Sequence, residues 1–424
     1  MDRLGLYIDQ NRIAGTDMTE LTIQRLGLQG DGIAEGPVFA PQTLPGEVVS
    51  GIIDGQRLTD IRIEKPSDHR VAPPCRHAKA CGGCQLQHAS DAFVADWKVG
   101  VVRHALASQG IEAEFRPIQT SDTQSRRRAS FSARRTKKGA MAGFHARASD
   151  VIVEIPDCLL IDPALKDALP MVERLAIVGA SRKGELSVLV TTSETGLDVA
   201  VTGGKPLDGP LRIALAAEVE RFAMARLAWE DEVIAMRNPP LQRFGKALVP
   251  VPPGAFLQAT PQGEAALLDA VREIVGKADK VVDLFAGCGT FALPLAENAE
   301  VHAVEGAAAM TAALDAGWRK AQGLKRVSHA VRDLFRRPLL PDELAKFDAV
   351  VIDPPRAGAE AQVAELAKAK PPVIAFVSCN PITFARDAKL LIGAGYRLDW
   401  VQVVDQFRWS AHVEQVASFT LTSA

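Results

Sequence analysis

No uninterrupted apolar run in this sequence reaches the roughly 18 to 20 residues that a membrane-spanning helix needs, and no basic segment followed by an apolar core opens it. The expectation is a cytoplasmic protein without membrane contact. A surplus of positive charge is also missing: 49 lysines and arginines face 51 aspartates and glutamates, a net of -2 over 424 residues. Global attraction to a polyanion is thereby excluded, and any nucleic-acid site has to come from local clustering. Cysteine is scarce, six residues in all. In a reducing compartment a tight group of cysteines more often holds a metal than forms disulfides, so their positions matter more than their number. The length implies roughly two to four domains, each able to bury a core.

Residues 1–16 carry no clear pattern. From Met18 onward, short apolar runs (Leu21, Ile23, Leu26, Val48, Val49, Ile61 among them) are separated by Gly27, Gly30, Gly32, Gly36, Pro45-Gly46 and Gly55. Short strands punctuated by glycine turns read as a small β-barrel over 1–66.

A central region over 67–250 opens with prolines and then Cys75, Cys81 and Cys84, separated by five and by two residues. Three thiolates so spaced can wrap one soft centre. The fourth ligand must be Cys158, Cys288 or Cys379, and Cys158, which follows the extended segment Val151–Ile155 and Pro156-Asp157, is the nominee. Four thiolates suit Zn²⁺ or an iron-sulfur cluster and spacing does not separate the two; His77 and His88 are available to zinc. The spacing is not the three-then-two triplet associated with radical cleavage of S-adenosylmethionine, which points to a structural or RNA-positioning role.

The pattern from Ala92 to about Pro117 fits a core-facing helix and its exit. Between Arg126 and Lys138, seven of thirteen residues are basic and none is acidic. Alternation around Phe131 predicts a strand that splays its cations along an extended face, suited to a phosphate backbone. Residues 159–245 read as scaffold, with a strand over Leu186–Thr191 and a helix over Leu211–Ala228. Pro250–Gly254 marks a boundary.

Over 251–424 strand and helix alternate, with strands expected at Val281–Phe285, Val301–Glu305, Val327–Val331, Asp348–Ile352, Val373–Val377, Arg397–Val404 and Val413–Leu421. This predicts a doubly wound α/β sheet with ligands at the carboxyl ends of its strands. The loop Asp283-Leu284-Phe285-Ala286-Gly287-Cys288-Gly289-Thr290 leaves the first strand, and Glu305, ending the second, is placed to hold ribose hydroxyls. A Gly-x-Gly-x-x-Gly run is absent, which disfavours a dinucleotide and leaves an adenosyl ligand such as S-adenosylmethionine, with Asp333 facing the adenine. The fourth strand ends in Asp353-Pro354-Pro355-Arg356-Ala357-Gly358. The fifth ends in Ser378-Cys379-Asn380-Pro381 at the same rim. No Lys or His adjoins Cys379, so its activation is expected to depend on the bound substrate and nearby acids.

The glycine loop, Asp-Pro-Pro-Arg-Ala-Gly, Ser-Cys-Asn-Pro and the terminal His412-Val413-Glu414 together resemble the RNA uridine-5-methyltransferase family. The cysteine triplet, Cys158 and the N-terminal barrel extend the match over nearly the whole chain, and members with a [4Fe-4S] cluster that act on large-subunit ribosomal RNA look most similar. The resemblance implies a TRAM-type (OB-like) barrel, an α+β central domain with its cluster on Cys75, Cys81, Cys84 and Cys158, and a Rossmann-like class I catalytic domain. It implies S-adenosylmethionine as methyl donor, Cys379 as nucleophile and Glu414 as the base that removes the C5 proton. Gln258, Phe285, Gly287, Gly289, Thr290, Glu305, Asp333 and Asp353 fall at cofactor positions, with Thr260 and Thr290 standing where relatives often have Asn. Structured RNA, 23S rRNA first and the T-loop of tRNA second, is the implied partner of a monomeric enzyme. A base inside folded RNA has to be flipped out, with Phe256 or Phe407 as stacking partners. Cytosine-5 methylation is disfavoured because the fourth strand ends without a Cys, and a noncatalytic RNA-binding protein would not need both Cys379 and Glu414.

Overall fold

The computed structural model describes residues 18–422, so residues 1–16, patternless in the sequence, lie outside the described part. The chain forms two compact units. The first comprises the chain up to Pro74 together with Cys84–Asp96 and Trp409–Ala411. Its strands Thr19–Leu26, Gly32–Ala34, Val38–Ala40, Arg57–Lys65 and Val48–Asp54 close, in that neighbour order, into the expected barrel. Ile23, Ala34, Val38, Ala40, Val49 and Leu58 fill it. Gly32 is required there, because a Cβ would overlap Thr43 and Ile23. Beside this core the buried Glu47 accepts hydrogen bonds from Arg70 Nε (2.5 Å) and Nη2 (2.8 Å), Leu44 N (2.8 Å) and Ser67 N (3.2 Å).

The second unit, Cys75–Gly83, Trp97–Arg408 and His412–Ala424, holds two large sheets. One has seven strands in the order Glu232–Met236, Arg226–Trp229, Gly196–Thr202, Glu185–Ser193, Arg128–Arg135, Ala140–His145 and Ile152–Glu154. The other has eight: Val327–Val331, Glu300–Glu305, Lys280–Leu284, Ala349–Ile352, Val373–Ser378, Gln415–Leu421, Tyr396–Asp405 and Phe115–Thr120. Its first five strands run parallel. Both faces are covered, as such a sheet requires: Val281, Val351 and Val377 point into one core, Val282, Val350 and Phe376 into the other. The strand order reverses between Lys280–Leu284 and Ala349–Ile352, the position at which open α/β sheets bind ligands.

All seven strands expected after residue 251 are present within a few residues of their expected ends. Two upstream expectations need correction. The helix expected over Leu211–Ala228 stops at Arg221, where Ala223 takes a left-handed φ of 50°, and Arg226–Trp229 is a buried strand. A short apolar run has no periodicity with which to distinguish the two. The exit from the helix Asp91–Ala107 contains the strand Phe115–Thr120, parallel to Tyr396–Asp405. As an edge strand it tolerates Pro117 and mixed polarity, which hide it from pattern reading. Among the described residues, no helix is long and apolar enough to cross a membrane.

Candidate active site

The carboxyl ends of the parallel strands open onto a cavity of about 830 Å³. The loop after Lys280–Leu284 makes one wall. Phe285, Gly287 and Gly289 all take positive φ, at 63°, 56° and 95°. Gly287 has open space where a Cβ would stand, so its backbone faces the cavity, whereas a Cβ on Gly289 would press on Leu293 and Leu314. Gly289 therefore packs the loop onto the helix beneath it, and does not line the cavity as its expected cofactor role would suggest. Glu305 is oriented by main-chain donors, Gly287 N to Oε2 at 3.0 Å and Ala307 N to Oε1 at 2.8 Å. Asp333 Oδ1 accepts from Phe335 N at 3.0 Å, and the ring of Phe335 stands 5.5 Å from that of Phe285. Gln258, Phe285, Gly287, Thr290, Glu305, Asp333 and Asp353 all line the cavity.

Cys379 and Glu414 line the same cavity. Their meeting follows from strand register: Gln415–Leu421 inserts antiparallel beside Val373–Ser378, pairing Ser378 with Gln415. Cys379 leaves one strand just past that pair and Glu414 enters the other just before it, so residues far apart in sequence leave the ladder at one point. Burial, then the charges of Glu414 and Asp353, push the Cys379 thiol up to about 11, with Arg356 opposing. A shift in this direction favours the protonated thiol near neutral pH. Asp353 is pushed up to about 7 by desolvation, and Glu414 lies well above its usual value through burial and the proximity of Asp353. Asp283 is fully buried, and burial followed by the charge of Asp353 raises its pKa strongly, with the main-chain N–H of Ala292 opposing. Sequence reading overlooked Gln406, whose Nε2 donates to Glu414 Oε2 at 3.1 Å. A lone glutamine in a loop gives no pattern by which to find it.

The basic strand divides by parity. Arg127, Ala129, Phe131 and Ala133 are buried. Arg127 is thus an interior residue, donating from Nε to Gln258 O at 3.0 Å and ion-paired with Glu264. This corrects the expectation that all the cations splay outward. Arg126 lines the cavity, and the guanidinium of Arg128 lies 5.5 Å from the ring of Phe256, which is 60% exposed.

Residues 249–420 match the profile of the family described as tRNA (Uracil-5-)-methyltransferase. Across 404 residues, 95% of this chain and 97% of the relative, the sequence is 46% identical to an uncharacterized RNA methyltransferase of Brucella suis. It is 34% identical, over 96% of its length and 90% of the relative's, to the 23S rRNA (uracil(1939)-C(5))-methyltransferase RlmD of Halomonas elongata. The chain belongs to the RNA uracil-5-methyltransferase family. The same fold occurs in the tRNA (uracil-54, C5)-methyltransferase of Pyrococcus abyssi, with a TM-score of 0.73 and 22% identity over 95% of this chain and 99% of that one.

In this methyltransferase the four cysteines expected to hold a cluster divide between the units: Cys75, Cys81 and Cys158 belong to the second, Cys84 to the first. Burial raises the Cys81 thiol, Gly83 N opposes at 3.4 Å from Sγ, and the nearby Cys158 and Cys75 raise it further. Cys158 Sγ accepts from Leu160 N at 3.5 Å. Thiols served by main-chain N–H groups are donors of the type iron-sulfur centres use. Yet among the described residues no group of three or more His, Cys, Asp or Glu side chains is arranged to hold a metal ion.

Proposed function

We propose that this enzyme transfers a methyl group from S-adenosylmethionine to C5 of one uridine in 23S rRNA. The observation that carries the reading is the convergence of Cys379, Glu414 and Asp353 on one cavity, which the glycine loop and Glu305 also line. When bound, S-adenosylmethionine supplies an electrophilic sulfonium methyl. In this reading the main chain at Gly287, the carboxylate of Glu305 and Asp333 hold its adenosyl portion, with Gln258, Phe285, Thr290 and Asp353 completing the contacts and Gly289 shaping the loop.

Uracil C5 is too weak a nucleophile to take a methyl group unaided. Cys379 Sγ adds to C6 as its proton passes to the Glu414–Asp353 carboxyl pair, and the C5=C6 electrons move to C5 and O4, making C5 the nucleophile. After methyl transfer, Glu414 takes the C5 proton. The C–H pair re-forms C5=C6 and the C6–S pair returns to Cys379, which takes back its proton from the carboxyl pair, while the C5 proton leaves to solvent and the product is freed. Arg126 and the Arg128–Phe256 pair lie where they can meet RNA, the cation on phosphate and the ring on a base. The N-terminal barrel supplies a second RNA-binding surface, and Cys75, Cys81, Cys84 and Cys158 carry a [4Fe-4S] cluster, with zinc as the alternative.

The choice of 23S rRNA rests on the Halomonas relative. A tRNA T-loop uridine is the second reading, favoured by the description of the family whose profile matches. Mass-spectrometric mapping of RNA from a deletion strain separates the two: one 5-methyluridine missing from 23S rRNA is expected, whereas loss from tRNA would establish the second reading. For the cluster, protein purified without oxygen should be brown and contain iron and sulfide. A colourless protein with one equivalent of zinc would replace cluster with zinc.

A further inference from the structure

Gln406 is 2% exposed and follows the strand Tyr396–Asp405 directly. Its Oε1 accepts the main-chain N–H of Ala259 at 2.7 Å. A backbone N–H can only donate, so this contact fixes the orientation of the amide: the oxygen faces Ala259 and Nε2 faces Gln258 and Glu414. Nε2 has two hydrogens and two acceptors, Gln258 Oε1 at 2.6 Å and Glu414 Oε2 at 3.1 Å. With its oxygen engaged, Gln258 in turn directs Nε2 toward Asp353 Oδ2 at 3.3 Å. One main-chain donor therefore sets the orientation of two amides, Gln406 and Gln258, and through them aims N–H groups at Glu414 and Asp353.

The surroundings of Gln406 are built to hold it. Asp405 Oδ1 receives the fully buried Lys98 Nζ at 2.5 Å and Phe407 N at 3.1 Å, and Lys98 Nζ also reaches Phe407 O at 3.0 Å. The residues on either side of Gln406 are thus pinned by one ion pair. A Cβ on Gly263 would crowd the Gln406 side chain at 2.6 Å from its Cβ, so the absence of a side chain there makes room for the glutamine.

We propose that Gln406 is a positioning residue: it holds Glu414 through Oε2, leaving Oε1 to take the C5 proton, and fixes Gln258 with its N–H groups toward Asp353. The inference rests on the reading of Glu414 as the base. A donor to the carboxylate favours the ionised form, so losing it leaves Glu414 protonated up to higher pH.

The test uses the full-length enzyme, S-adenosylmethionine, and 23S rRNA carrying tritium at uridine C5, prepared from a strain lacking this enzyme. Gln406→Leu and the isosteric Gln406→Glu are compared with wild type in single-turnover reactions that read methyl incorporation and tritium release separately across pH. The expected result is tritium release slowed roughly tenfold to hundredfold, the range for one hydrogen bond to a charged group, with methyl incorporation slowed less. The acid limb of release should move to higher pH and covalent protein-RNA adduct should accumulate. A merely structural role would slow both events equally and leave the limb in place, and that result overturns the proposal. Should Gln406→Leu fail to fold, as read by its melting curve, Gln406→Glu decides alone by the same criteria. Wild-type enzyme that leaves this RNA unmethylated would instead overturn the substrate reading, and the positioning proposal with it.

Discussion

Glu47 in the barrel unit and Glu414 in the cavity are both buried glutamates, 0% and 3% exposed, yet their pKa values move in opposite directions. Burial raises each. At Glu47 the Arg70 guanidinium and the N–H groups of Leu44 and Ser67 outweigh it, and the carboxyl ends below its ordinary range. At Glu414 burial is reinforced by Asp353, and the hydrogen bond from Gln406 with the more distant Arg356 does not offset the two. Donor supply, more than depth, decides whether a buried carboxylate is a fixture or a base. Asp353, which lines the same cavity, and the fully buried Asp283 near it are raised as well. One region has satisfied its charges, while the other holds acids whose protons burial and mutual repulsion retain.

The largest effect should come from the reactive wall. Cys379→Ala is expected to lower methyl transfer by at least about 10³-fold, the scale for loss of a covalent nucleophile. Calorimetric binding of S-adenosylhomocysteine should persist, because the loop at Gly287 is untouched. Glu414→Gln should slow turnover by about 10² to 10⁴-fold and accumulate an adduct visible on a denaturing gel. With Glu414 as the proposed base, required ionised, and its pKa raised, wild-type rate should climb with pH through a limb above the ordinary carboxylate range. A rate flat from about pH 5 to 8 would contradict the assignment. Stability moves the other way. Asp353 holds its proton up to about 7 when folded, while the unfolded chain releases it near 4, so this group's contribution falls as pH rises between those values. Asp353→Asn should accordingly melt a few degrees higher than wild type at pH 8, with no such gain at pH 4, while losing activity.

The satisfied region predicts the opposite pattern. Glu47→Gln leaves Arg70 without its counter-charge. It should cost about 2 to 3 kcal/mol, below the full price of a buried pair because the Arg70 side chain is 23% exposed. The depressed pKa means that wild-type Glu47 contributes stability above the unfolded value of about 4.5, and that this is lost as pH falls through the folded value. Hydrogen exchange of barrel peptides around Ile23 and Leu44 should rise below pH 4.5 in wild type and be high at all pH in the variant. Unchanged exchange would mean that the pair is a surface ornament.

What could be read without the structure follows from how each feature is encoded. Catalytic-domain strands such as Lys280–Leu284 and Ala349–Ile352 are contiguous apolar runs, and the glycine loop and Ser-Cys-Asn-Pro are local words. Phe115–Thr120 was missed because an edge strand needs no clean alternation, and Arg226–Trp229 because four apolar residues fit either periodicity. Arg127 was misjudged because its charge is neutralised by Glu264, a partner far along the chain. The juxtaposition of Cys379 and Glu414 depends on the Ser378–Gln415 register, and the role of Gln406 on the backbone N–H of Ala259. Such long-range pairings leave no trace in either segment alone.

The smallest expected effect separates the two thiols at the carboxyl ends of the parallel sheet, Cys288 buried and Cys379 half-buried. Cys288 sits in the glycine loop, 1% exposed, and burial followed by the charge of Glu305 pushes it up to about 12, close to the value of about 11 for Cys379. Titration alone therefore does not choose between them. Position does: Cys379 lines the cavity with Glu414 and Asp353, whereas Cys288 packs into the core with Phe291 and Leu293. A thiol in that setting behaves as a small apolar side chain. Cys288→Ala should keep the methylation rate within about threefold of wild type and cost about 1 to 2 kcal/mol through the lost sulfur contacts, read as a lower urea midpoint. If the two alanine variants exchanged behaviours, Cys288 dead and Cys379 active, the chemistry would lie at the glycine loop and the acid-lined wall would be scaffold.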